Sequence, residues 1–85
     1  MSTLQEQFEA AVTASKSLPE RPDNMTLLKM YGLYKQGSLG DVQGERPGMT
    51  DFVARAKYDA WAAVKGTAQE VAQQQYLDLF NDLKG

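Results

Sequence analysis

Tyr31, Tyr34 and Lys35 stand at i, i+3 and i+4, which puts two phenols and an ammonium group on one side of a helix. Lys57 and Trp61 repeat the i, i+4 spacing further along, and Tyr76 follows near the end. A tyrosine ring stacks on a flat heterocycle, and its hydroxyl bonds a phosphate. A lysine adds a charge-assisted hydrogen bond worth about 1.5–3 kcal/mol. If the helices converge, these groups suit a ligand that carries both a flat ring and phosphates. The same spacing also describes tyrosines at a core boundary and lysines that solvate a helix face. Trp61, set among alanines, reads as a core anchor.

Composition narrows the chemistry. The 85 residues contain neither histidine nor cysteine, so the usual general base, the thiol nucleophile and thiolate metal sites are missing. Ser2, Ser15, Ser17 and Ser38 have no imidazole to activate them. The carboxylates near the distinctive segment are Asp41, Glu45, Asp51 and Asp59, and with so little else the chain is not expected to be an enzyme or to hold a metal. Net charge is −2, yet residues 29–66 alone sum to +2. A positive middle on an acidic chain points to a small anionic ligand and away from nucleic acid. No apolar run approaches the roughly 20 residues of a membrane span, and MSTLQEQFEA lacks a signal core. The expected address is cytoplasmic.

Hydrophobic residues make up 42% of the chain, enough for one small domain over residues 1–85. Leu4, Phe8, Ala11, Val12 and Ser15 mark the face of a first helix, with Ser2 and Gln5 as a capping box and an end near Ser17. Leu18-Pro19 and Arg21-Pro22 then interrupt it. Asp23 or Asn24 caps a second helix that reaches about Gln36, with Gly32 inside it admitting either a neighbouring helix or a ligand. The glycine-rich stretch GSLGDVQGERPG is a long loop without a phosphate-loop pattern. Thr50 is placed as the cap of a third helix over Asp51–Val64, packing through Phe52, Ala56, Ala60, Ala63 and Val64, with Gly66 at its end. Thr67 to Glu70 reads as a capping box for a fourth helix whose inner face is Ala68, Val71, Ala72, Tyr76, Leu79, Phe80 and Leu83. The outcome is all-α: a four-helix bundle with a long loop between helices 2 and 3.

Five runs appear in order: Tyr31-Gly-Leu-Tyr34-Lys35-Gln36, Gly40-Asp41-Val42, Arg46-Pro47-Gly48-Met49, Ala56-Lys57-Tyr58-Asp59-Ala60-Trp61 and Lys65-Gly66-Thr67. Together with Phe8, the proline-bearing connection and Tyr76, this series resembles the acyl-CoA-binding protein family over nearly the whole chain. The resemblance implies an up-down-down-up bundle that binds medium- and long-chain fatty acyl-CoA without turnover and maintains a soluble, transportable pool. Tyr31, Lys35 and Lys57 would meet the adenine and 3′-phosphate end, joined by Tyr76 and by Lys16 on the first helix, with Tyr34 bordering the site. Leu27 and Leu28 would lie along the acyl chain, and Gly32 and Leu33 of the same helix are counted with the site. The ligand would be the fatty acyl-CoA itself, with no cofactor. Enzymes that use acyl-CoA, or membrane surfaces, would serve as donors and acceptors, and the protein would be a monomer.

Three positions depart from the family pattern. Tyr58 stands where tryptophan is usual, Val53 where many members have lysine, and Val12 where alanine is common. These departures bear on affinity and chain-length preference. A helical module that docks a partner protein is the competing reading from another class.

Overall fold

The computed structural model describes residues 3–84. Four helices follow one another: α1 (Leu4–Ser15), α2 (Asn24–Leu39), α3 (Phe52–Ala62) and α4 (Gln69–Lys84).

The starts of α1, α2 and α3 each satisfy an orphan N–H group through a side chain placed by the local sequence. At α1 the cap is Thr3, whose hydroxyl accepts from the Glu6 N–H while the Glu6 carboxylate accepts from the Thr3 N–H, both at 3.1 Å. The expected pairing of Ser2 with Gln5 is therefore shifted by one residue; Ser2 itself lies outside the described residues. Asp23 caps α2, accepting from the Thr26 N–H at 2.8 Å. Asp51 rather than Thr50 caps α3, because its carboxylate is the group that reaches the Ala54 N–H. α4 starts at Gln69, two residues beyond Thr67, whose carbonyl instead accepts from the Gln36 amide at 2.7 Å.

α2 runs a turn further than its glycines suggest. Gly37 is buried where a Cβ would sit 3.0 Å from both Phe8 and Gln73, and its carbonyl accepts from Gln73 Nε2 at 2.9 Å. Packing thus retains two small residues, Gly37 and Ser38, in the helix, and the chain leaves it at Gly40 with φ 86°. α3 is shorter than expected: it ends at Ala62, and a turn follows to Gly66 with φ 90°.

Pairings between helices fix their directions. Gln73 bonds Gln5 at 2.7 Å and Tyr76 meets Phe8 edge-on at 5.3 Å, so α1 and α4 run parallel. Gln36 meets Thr67 while Lys29 and Asp82 border one groove, so α2 and α4 are antiparallel. Leu28 shares a groove with Ala56, and Gly32 abuts Ala60, so α2 and α3 are parallel. The result is up-down-down-up. Its core is Phe8, Ala11, Met30, Leu33, Ala72, Tyr76, Leu77 and Phe80, with Leu4, Val12, Leu18, Val64, Leu79 and Leu83 packed around it. Leu77 was not on the predicted stripe. Val71 and Ala68, which were, face solvent, as does Phe52 at 78% exposure.

The parallel pair α2–α3 needs a long return, and that loop is strapped down along its length. Trp61 Nε1 donates to the Gly40 carbonyl at 2.8 Å, and the Tyr58 hydroxyl donates to the Gly44 carbonyl at 3.1 Å. Arg46 grips Asp59 through two bonds of 2.9 and 2.7 Å. Asp41 accepts from the Gln36 amide at 2.9 Å and from the Gly66 N–H at 2.8 Å.

Two predictions test this framework. An ideal Cβ on Gly32 would lie 2.5 Å from the Ala60 carbonyl oxygen, a backbone atom that cannot swing away. Gly32→Ala should therefore cost about 1–3 kcal/mol through overpacking and lower the urea midpoint; an unchanged midpoint would refute the close crossing. The second concerns Asp41, whose carboxyl is held below its ordinary 3.8 first by the Gln36 amide and then by the Gly66 N–H. A lowered folded-state value stabilises at pH above 3.8, and the benefit fades as pH falls through that lower value. Wild type should accordingly exceed Asp41→Asn in stability near neutrality, with the gap closing in acid. A gap independent of pH down to pH ~2 would contradict it.

Candidate ligand groove

Tyr31 is the hinge of the site. Its position on α2, one turn from Leu27 and one turn from Lys35, makes it a wall of two grooves at once. The first groove, about 300 Å³, lies between α1, α2 and α4 and is bordered by Val12, Ser15, Lys16, Tyr34 and Tyr76. The second, about 490 Å³, lies between α2 and α3 and is bordered by Leu28, Val53, Ala56, Lys57 and Arg21. Leu27 and Tyr31 belong to both.

The cations gather around the tyrosine ring. Lys35 Nζ lies 5.7 Å from the Tyr31 centroid and 5.6 Å from that of Trp61. Lys57 Nζ approaches the Tyr31 ring at 5.5 Å. The sequence paired Lys57 with Trp61 by spacing along α3; in the fold Lys57 turns to Tyr31, and Lys35 from α2 takes the indole. Lys16, Lys35 and Lys57 form no salt bridge with a described carboxylate, whereas Arg46 is engaged with Asp59 at 2.7 Å. Among the described residues, no aspartate or glutamate lines either groove. Ammonium groups held near an aromatic face can receive an anion, since the ring quadrupole holds them without cancelling their charge.

Tyr76 is 3% exposed and sits at the floor of the first groove. Burial, above all, pushes its pKa above the ordinary tyrosine value, and a hydrogen bond with the Ser15 hydroxyl draws it partly back. It therefore stays a neutral phenol at physiological pH, able to hydrogen-bond a ligand oxygen.

The expected site residues divide accordingly. Lys16, Leu27, Leu28, Tyr31, Tyr34, Lys57 and Tyr76 line one groove or both, and Lys35 stands at the aromatic junction. Gly32 and Leu33 border neither. Gly32 faces the Ala60 carbonyl, and Leu33, 1% exposed, is deep in the core; the glycine admits a helix and not a ligand. Helical spacing did not single out Arg21, which comes from the non-helical connection, and it placed Ser15 and Phe52 on packing faces where they in fact border the grooves. Tyr58 borders neither groove, so its departure from the family pattern changes how the loop is held. Val12 and Val53 do line the grooves.

The family model for acyl CoA binding protein matches residues 5–80. This chain belongs to that family. It is 44% identical to an acyl-CoA-binding protein of Ricinus communis over 96% of this chain and 91% of that one. An acyl-CoA-binding protein homolog of Drosophila melanogaster is 41% identical over 94% and 93% of the two chains. Among solved structures, that of Oryza sativa acyl-CoA-binding protein 2 superposes with a TM-score of 0.91 at 41% identity, covering 95% of this chain and 90% of that chain. The bundle and its loop are thus those of the acyl-CoA-binding proteins.

Trp61 is the single tryptophan, so its emission reports the Lys35 contact directly. Lys35→Ala should alter that emission, leave the far-UV circular dichroism helical, and cost no more than about 0.5–1 kcal/mol in stability. Identical emission in the variant would show that the ammonium does not rest over the indole.

Proposed function

We propose that this protein binds medium- and long-chain fatty acyl-CoA esters one to one, without turnover, and keeps them as a soluble, transportable pool. The observation that carries the reading is the meeting, at Tyr31, of an uncompensated cation cluster with an apolar groove between α2 and α3. A ligand that fits both must be an anionic, ring-bearing headgroup joined to a hydrocarbon. In this reading Tyr31, Lys35 and Lys57 meet the adenine and phosphate end, Lys16, Tyr34 and Tyr76 border it, and Leu27 and Leu28 line the acyl chain. The ligand is the whole requirement, with no cofactor or metal. The proposed setting is a cytoplasmic monomer that exchanges ligand with acyl-CoA-using enzymes or membrane surfaces. Among the described residues, no helix is long and apolar enough to cross a membrane.

Energetics assign the two ends different tasks. Each methylene withdrawn from water contributes about 0.8 kcal/mol, so a sixteen-carbon chain supplies at most roughly 12 kcal/mol before ordering costs. The chain sets affinity, while the cations and phenols reject free fatty acid.

Calorimetric titration with palmitoyl-CoA, free CoA and palmitate tests the reading. The expected result is submicromolar one-to-one binding of the ester, with both fragments far weaker. Palmitate competing as well as its CoA ester would overturn it. Lys35→Ala and Tyr31→Ala should each weaken the ester roughly 10- to 100-fold with the helical fold intact, and Lys57→Ala should act in the same direction with a smaller effect.

A further inference from the structure

Exposed apolar side chains gather at the end of the bundle where α2 and α3 begin. Met49 is 76% exposed, Phe52 78% and Val53 67%, three within five residues. Their mount is built into the chain. The Asp51 N–H donates to the Gly48 carbonyl at 3.1 Å, which folds residues 48–51 into a turn with Met49 at its corner, and the Asp51 side chain then caps α3. The loop before this turn is tied to α3 where Arg46 meets Asp59 and Tyr58 meets the Gly44 carbonyl. A surface held in this way loses little freedom when something docks on it. Phe52 and Val53 border the groove of about 490 Å³, whose walls include Leu28 and Ala56. Met25, 77% exposed at the start of α2, borders a further groove of about 570 Å³ with the same two residues in its walls. The exposed side chains thus share one end of the α2–α3 pair.

We infer that this end docks on a phospholipid bilayer with anionic headgroups, with Met49, Phe52 and Val53 entering the interface. The inference rests on the carrier reading above and names the face through which that carrier meets a lipid surface. Charge selects the occupant. Residues 46–57 carry Arg46, Arg55 and Lys57 against one aspartate, Asp51. Arg21 joins Lys57 in the lining of the groove between α2 and α3, where no described carboxylate stands. Asp51 and Asp23 are turned to the Ala54 and Thr26 N–H groups, on the positive poles of α3 and α2. Glu20, beside Arg21, is the acid left in the connection. The chain as a whole carries −2, so an anionic surface repels its bulk and favours approach by this end. Apolar side chains among cations suit such a surface, the first entering the boundary between headgroups and acyl chains and the second meeting phosphates. A second copy of the chain fits less well, because a two-fold contact would set Arg21 and Lys57 against their own counterparts.

Flotation of the ligand-free protein with vesicles of phosphatidylcholine and phosphatidylglycerol tests docking apart from acyl-CoA binding. Wild type should float with these vesicles, and with vesicles of phosphatidylcholine alone its affinity should fall about fivefold or more. Met49→Glu changes a side chain that borders neither ligand groove. It should lower affinity for the mixed vesicles about tenfold while palmitoyl-CoA titrates as in wild type. Val71→Glu, at an exposed site near the opposite end where Gln36 meets Thr67, should float as wild type does. Phe52→Trp gives a second readout: its emission should shift to the blue and be quenched by lipids brominated in their acyl chains, whereas wild type, with only the buried Trp61, should not be quenched. No flotation by folded wild type, equal flotation with neutral vesicles, equal losses in Met49→Glu and Val71→Glu, or unquenched emission in Phe52→Trp would each overturn the inference. All of these outcomes leave the carrier reading intact and turn the patch over to a protein partner. Flotation by a wild type that fails to bind palmitoyl-CoA would instead overturn the carrier reading and leave the docking face standing.

Discussion

The contact between Gly32 and the Ala60 carbonyl governs much of what surrounds it. A residue with any side chain would push α2 and α3 apart at that point, and glycine lets their backbones meet. The apolar grooves that share Leu28 and Ala56 as lining flank this crossing. The pinch also sets the electrostatics. It brings Trp61 close enough to α2 for Lys35 to rest over the indole, and it carries Lys57 to the Tyr31 ring. Groove and cation cluster are thus two consequences of one close approach.

The opposite flank of α2 is held by amides. Gln36 reaches Thr67 and Asp41, and Gln73 reaches Gln5 and Gly37, so two buried glutamines join the helices and the loop where apolar contact alone would permit sliding. Buried amides are costly unless bonded, and each bond therefore fixes register. The Gln36 Oε1 atom is buried without a partner, an energetic cost carried beside the two bonds its Nε2 makes. The strapped loop completes the arrangement. Arg46, Tyr58 and Trp61 each hold it against α3 or its neighbours, which suits a parallel helix pair that no short turn can connect.

Much of the site was legible because helices convert spacing into shared faces. Leu27, Tyr31 and Lys35 lie at successive turns of α2, and they do converge on one junction. Errors fell where the deciding partner was distant in sequence. Gly37 looked like a helix end and is helical because Phe8 and Gln73 press against it. Phe52 looked like a packing residue and is 78% exposed, because as the first residue of α3 it borders an open groove where no element covers it. Leu33 shares its helix with the groove-lining residues but is buried in the core, a difference of angle that a broad apolar stripe does not resolve.

By itself, the sequence determined the four helices, the long loop, the family and the absence of histidine and cysteine chemistry, since all of these follow from local order and composition. Tertiary structure alone decided which aromatic each lysine faces, that Gly32 receives a helix, and that Leu28 and Ala56 stand between two grooves. The physical reason is range. Caps and periodicity act within a turn or two of the chain, whereas a groove is the space left between elements, and its shape exists only once their crossing has been set.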